Sequence, residues 1–181
     1  MSIIKNTAEK IARKLLNKQL RKHTKRVEFH NMKSAKHIGI LFDTNQKENN
    51  SIVSNFYTDL KNQGYKVSAA GWYEGFDIPK KPLNILDFIY FSELDSNWKG
   101  IPQTHEISEF FKQKFDILFV LTQSEELAIQ YISSLSPAAF KVGARGNHAE
   151  YLDFMIELKE TASIKNLIQD SITYLSEIKK N

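Results

Sequence analysis

The sequence predicts an α/β protein: a three-layer sandwich on a mostly parallel, Rossmann-like sheet of 5–6 strands, preceded by an N-terminal basic amphipathic helix. Two apolar runs, HIGILF (37–42) and FDILFVLT (115–122), read as strands buried on both faces, the environment of parallel strands. Segments of helical period alternate with such runs, which is the order that covers both faces of one sheet. The first 26 residues stand apart as a basic arm, and 27–181 form one domain with enough chain for a full core.

Each element follows from local pattern. Residues 3–22 form a helix, because Ile4, Ala8, Ile11, Ala12, Leu15 and Leu16 recur at helical spacing without Gly or Pro. RVEFH (26–30) is a short strand or an extended linker. After the first strand, DTNQKENN is rich in turn formers. A helix then spans about 48–62, with Ile52, Val53, Phe56, Tyr57 and Leu60 facing in and Gly64 placed just past its end. The second strand, 65–73, completes a β-α-β unit that crosses over right-handed. A proline-bearing loop precedes the third strand, 85–92. A helix after Thr104 buries Ile107, Phe110 and Phe111. The fourth strand, 115–122, leads to a helix with Ser124 as N-cap, Glu125 and Glu126 in its first turn, and Pro137 at its stop. The fifth and sixth strands are 139–143 and 151–158. The link between them is too short for a helical crossover, so an antiparallel pairing is expected. The closing helix, 162–179, turns Ile164, Leu167, Ile168, Ile172, Leu175 and Ile178 inward.

Composition removes several function classes. There is no cysteine, hence no disulfide framework, cysteine nucleophile or cysteine-held metal. Neither G-x-G-x-x-G nor G-x-x-x-x-G-K-[ST] occurs, which argues against Rossmann dinucleotide binding and P-loop hydrolysis. No cofactor is expected. The five histidines show no ligand spacing, so no metal is expected either. No apolar run is long enough to span a bilayer, and no leader-like segment opens the chain. A cytoplasmic protein is expected, with peripheral residence at the inner membrane face open to it.

Charge is divided sharply. Residues 1–36 carry 11 Lys or Arg and two acids, net +9, while the remainder is net −5. The arm therefore suits an acidic surface, through Ile4, Ile11 and Leu15 together with Arg13, Lys14, Lys18, Arg21 and Lys22. Three kinds of partner fit: an acidic protein surface, including this chain's own body or a dimer mate; an anionic membrane; and, ranked below these, nucleic acid. Whether the chain is an enzyme is left open.

Ligands of open α/β sheets bind outside the carboxyl ends of the strands, where strand order reverses. Asp43 ends the first strand and could hold a metal, a ribose hydroxyl or an amine; its plainer role is that of a turn acid. Thr122 and Ser124 could donate to an anion, but Glu125 and Glu126 repel one. Asn97 and Trp98 could take a sugar or base, and Arg145 and His148 could take a carboxylate or phosphate. A small-molecule enzyme or sensor would require Asp43, Asn97, Trp98, Arg145 and His148 to converge on one pocket.

AKHIGILFD, GYKVSAAGWYE, FSELDSNWKGIP, FDILFVLT and FKVGARG together resemble an uncharacterised family of small proteins from Bacteroidota, a domain of unknown function. Asp95, Asn97, Trp98, Gly100 and Pro102 carry the most specific part of that likeness. The stretch FDILFVLTQSEELAIQYISSLSPAAFKVG is also similar in layout to the N-terminal domain of heptosyltransferase-like glycosyltransferases, which implies shared architecture and a nucleotide-sugar-related alternative function. The leading expectation is a non-catalytic binding or adaptor protein whose arm docks on an acidic surface.

Overall fold

The structure is a computed structural model that describes residues 10–11, 13–18, 27–44, 46–75, 79, 87–97, 101–122, 124, 126–146, 151–159 and 162–178. Their elements run β1 (His37–Asp43), α1 (Lys47–Asn62), β2 (Lys66–Trp72), β3 (Phe88–Phe91), a 3₁₀ turn (Glu93–Asp95), α2 (His105–Lys112), β4 (Ile117–Leu121), α3 (Leu127–Leu135), β5 (Phe140–Ala144), β6 (Phe154–Ile156) and α4 (Ile164–Glu177). The strands form one six-stranded sheet in the order β3-β2-β1-β4-β5-β6, and each neighbouring pair is parallel. Residues 27–30 lie outside the strands of the sheet, although the Glu28 N–H donates to the Ala139 carbonyl.

Alternation along the strands divides the core. Ile38, Ile40 and Phe42 of β1 join Val53, Phe56 and Leu60 of α1 and Leu167 and Leu175 of α4. Leu41, Ala70, Leu118 and Val120 point the other way, into a cluster with Ile107 and Phe110 of α2 and Ile129 and Ile132 of α3. α1 ends in a Schellman arrangement. The Tyr65 N–H reaches the Leu60 carbonyl, the Gly64 N–H reaches that of Lys61, and Gly64 takes φ +91°, a conformation that favours glycine.

Two expectations are corrected. β6 pairs with β5 in parallel, not antiparallel. The reason lies in register: Phe154 sits opposite Val142 and Ile156 opposite Ala144, so β6 pairs only with the end of β5. The chain must retrace only two residues, roughly 7 Å, which needs no helical crossover. Asp153 bridges the gap: its carboxylate accepts the Lys141 N–H (2.8 Å) and its own N–H donates to the Lys141 carbonyl (2.9 Å). The second correction concerns α3, whose N-cap is Glu126 rather than Ser124. Ser124 is held by Thr122 instead.

α3 has an unusual burial pattern. Ala128, Ile129, Gln130, Ile132, Ser133, Ser134 and Leu135 are all buried, and LAIQYISSL carries no charge. A helix buried on more than one side is covered by more than the sheet. Part of that cover is the arm. Residues 10–11 and 13–18 are helical, Leu16 is 2% exposed, and Arg13 Nη1 donates to Gln130 Oε1 at 2.8 Å. The far end of α3 is held from the sheet: Lys141, 1% exposed, donates from Nζ to the Ser134 carbonyl at 2.8 Å. This places a cation at the negative end of the helix and satisfies a last-turn carbonyl. Leu16→Ala should lower unfolding stability by about 2–5 kcal/mol in urea titrations. A change near zero would mean that the arm adds nothing to the fold.

The amino end of the sheet is tied by one carboxylate. Asp116 Oδ2 accepts the backbone N–H of Lys36 (2.7 Å) and of His37 (2.9 Å), joining the entry to β1 with the entry to β4. Burial pushes the Asp116 carboxyl up, but those two donors and the nearby imidazoles of His30 and His37 outweigh it, leaving the pKa below the ordinary value. For His37, burial and the Lys66 charge lower the pKa, and Asp116 only partly offsets them. Both shifts favour the folded chain at neutral pH. As pH falls through about 6.5, the unfolded His37 takes up a proton that the folded state resists. The Asp116 contribution, full above about pH 4, is lost as pH falls through its folded-state value. Urea midpoints should therefore fall in two acid phases, and Asp116→Asn should abolish the lower one. An unchanged acid limb in that variant would refute the assignment.

Candidate functional site

The strand order places the reversal between β1 and β4, since chain connections run outward from these two neighbours in opposite directions. Their carboxyl ends carry Asp43 and, one residue past β4, Thr122. A pocket of about 230 Å³ opens there, lined by Asp43, Gln46, Asn49, Thr122, Ser124, Ile164 and Leu167. It is smaller than the ~300–1,000 Å³ of sites that enclose drug-sized ligands.

Asp43 is 4% exposed, too buried for an ordinary turn acid. Thr122 Oγ1 donates to its Oδ2, a bond that links residues 79 apart in sequence. Asn49 Nδ2 donates to both the Asp43 carbonyl (3.1 Å) and its Oδ1 (3.3 Å). Thr122 Oγ1 in turn accepts the Ser124 N–H at 2.9 Å and lies 3.0 Å from Ser124 Oγ. A buried carboxylate is tolerated when its oxygens accept hydrogen bonds, and Asn49 and Thr122 are among its donors here.

The scaffold for these groups is local. Asn49 lies on the inner face of α1 with Val53, Phe56 and Leu60, and is buried with them. Its neighbour Asn50 accepts a hydrogen bond from the Tyr90 hydroxyl on β3. Burial pushes the Tyr90 pKa up to about 12, while the bond to Asn50 acts in the opposite sense; the hydroxyl stays protonated and able to donate. Ile164 and Leu167 form the apolar wall from the first turn of α4. That turn is set by the Ser163 N–H donating to Asn166 Oδ1 at 2.9 Å.

Of the five residues named from sequence, Asp43, Asn97 and Arg145 are described. Asp43 lines the pocket. Arg145 instead reaches Glu157 at 3.4 Å across the exposed β5–β6 edge. Asn97 closes its own loop, with Oδ1 accepting the Ile101 N–H and its N–H donating to the Ile101 carbonyl. Trp98 and His148 lie outside the described residues, as do Ile4, Arg21 and Lys22. On the arm, Ile11 is exposed, Leu15 half-buried, Lys14 and Lys18 exposed, and Arg13 turned inward.

Sequence reasoning passed over Gln46 and Asn49. Asn49 had a signal: a polar residue in register with the apolar face of a helix needs a buried partner. Trp72 was also missed. It ends β2 opposite Asp43 in the β1–β2 register, is 5% exposed, and its indole N–H is buried with no acceptor among the described residues.

Residues 8–178 match the model of a protein family described as "Family of unknown function (DUF6913)". The chain belongs to this family. No curated protein and no solved structure is matched. The DUF6913 chain thus has an α/β sheet with a switch-point pocket, and no helix among its described residues is long and apolar enough to cross a membrane.

Thr122→Val keeps the shape but removes the donor to a buried carboxylate. It should cost about 1.5–3 kcal/mol in denaturant unfolding. Thr122→Ser, which retains the hydroxyl, should cost distinctly less. Equal losses in the two variants would mean that packing of the Thr122 methyl, not the bond to Asp43, matters.

Proposed function

We propose that this chain is a binding protein for a small, neutral or cationic ligand rich in hydroxyl or amine donors, held at the switch point. The observation that carries this reading is the buried Asp43 carboxylate, fixed by Asn49 and Thr122 at the wall of a polar pocket. Asp43 precedes the first turn of α1, where the helix dipole favours negative charge. A second anion there would be repelled, while hydroxyls and ammonium groups would be attracted. The described lining offers one carboxylate, two amides and two hydroxyls against two aliphatic side chains, a set suited to recognition by hydrogen bonding. The arm belongs to this reading as a domain component docked in cis: Leu16 and Arg13 turn toward the body, and the contact with Gln130 is polar and uncharged on the body side.

Trp72 supplies the readout. The chain has two tryptophans, Trp72 and Trp98, so Trp98→Phe leaves Trp72 as the sole indole. In that background, millimolar ribose, glucose and ethanolamine would be titrated against inorganic phosphate. At least one hydroxyl- or amine-bearing probe should change Trp72 emission and raise the melting temperature, and Asp43→Asn should weaken the effect tenfold or more. Stabilisation by phosphate alone, or responses unaltered by Asp43→Asn, would overturn the reading.

A further inference from the structure

We infer that the outward face of the arm is a docking surface for an anionic lipid bilayer. Burial of Leu16 and the bond from Arg13 to Gln130 set which side of the helical segment faces the domain. Lys14 and Lys18 then fall on the side away from the domain, with Lys10 at its flank, and all three are exposed. Their four-residue spacing puts them in one line along the helix, roughly 12 Å from first to last. Ile11 lies beside that line and is 40% exposed. Among the described residues, no ion pair involves any of these lysines.

The charge layout makes this face unlike the rest of the chain. The domain beneath the arm is net acidic, whereas the first 36 residues are net +9. A cationic line held on a domain of opposite sign is oriented outward, since the body behind it repels an anionic surface. A bilayer fits better than nucleic acid for two reasons. The docked helix presents a straight ridge to a plane, and its exposed Ile11 gains from the apolar boundary below the lipid headgroups, which a phosphate backbone does not offer. The described residues of the ridge include no Trp or Phe, so the helix lies at headgroup depth and binding is reversible and salt-sensitive. Each lysine near such a surface adds roughly fivefold to affinity.

The test uses the full chain and vesicle flotation. Vesicles of phosphatidylcholine alone are compared with vesicles that also contain phosphatidylserine, and a DNA duplex serves as the competing polyanion. The protein should float only with phosphatidylserine, and added salt should release it. The triple variant Lys10→Glu, Lys14→Glu, Lys18→Glu should lose roughly a hundredfold or more in vesicle affinity while keeping the wild-type melting temperature. Ile11→Ser should weaken vesicle binding severalfold and leave any DNA binding unchanged. No phosphatidylserine-dependent flotation, full binding by the triple variant, or a loss confined to DNA would each overturn the proposal. Because these substitutions sit on the arm, the outcome is independent of the switch-point pocket.

Discussion

The connection from β1 through α1 to β2 leaves toward one edge of the sheet, and that from β4 through α3 to β5 leaves toward the other. Right-handed crossover then sends the two helices to opposite faces. The two core clusters show this separation, with α1 among the residues of one and α3 among those of the other. The connections diverge at the carboxyl ends of β1 and β4, and the pocket opens there as a consequence of topology. Asp43 lies in that pocket because it ends β1, and Thr122 because it follows β4. Their hydrogen bond ties together the two strands whose connections part.

Much of the element order was legible because it rests on local chemistry. The buried strands declare themselves by unbroken apolar runs, α1 by its inner face, and its end by Gly64. Pairing was less legible because it is not local. The antiparallel expectation for β6 treated link length as decisive. Register decided it instead, with a three-residue strand asking little of the chain that returns to it. The site was legible only in part. Asp43 could be named as the residue after an apolar run at a strand end. That its carboxylate meets Thr122 depends on which strand lies beside β1, and no local pattern encodes a contact across 79 residues. Arg145 and Asn97 carried suitable chemistry, but each is engaged within its own edge or loop.

The arm shows a related limit of periodicity. Ile11, Leu15 and Leu16 shared its apolar stripe, and Ile11 and Leu15 were named for docking, yet Leu16 is the buried residue and Ile11 is exposed. A narrow stripe leaves the rotation of a helix weakly determined, so the partner surface selects it. Here that surface includes Gln130, whose amide gives the Arg13 guanidinium a neutral acceptor. The uncharged sequence of α3 is the other half of that signal. A helix with no Lys, Arg, Asp or Glu in nine residues lacks the polar outer face that solvent would require.

Seen from α3, the arm and the sheet have complementary tasks. Arg13 engages the outer side of the helix through Gln130, and Lys141 holds its last turn from the sheet through the Ser134 carbonyl. Both are cations bonded to neutral oxygens, so neither contact requires an acid on α3. The inward side of the described arm includes the buried Leu16 and the directional hydrogen bond from Arg13, which are short-ranged and specific. The positive charge of Lys10, Lys14 and Lys18 stays exposed, with Lys14 and Lys18 on the side away from the domain. Separating specific packing on one side of a helix from diffuse charge on the other lets a short segment complete a core without neutralising its own surface.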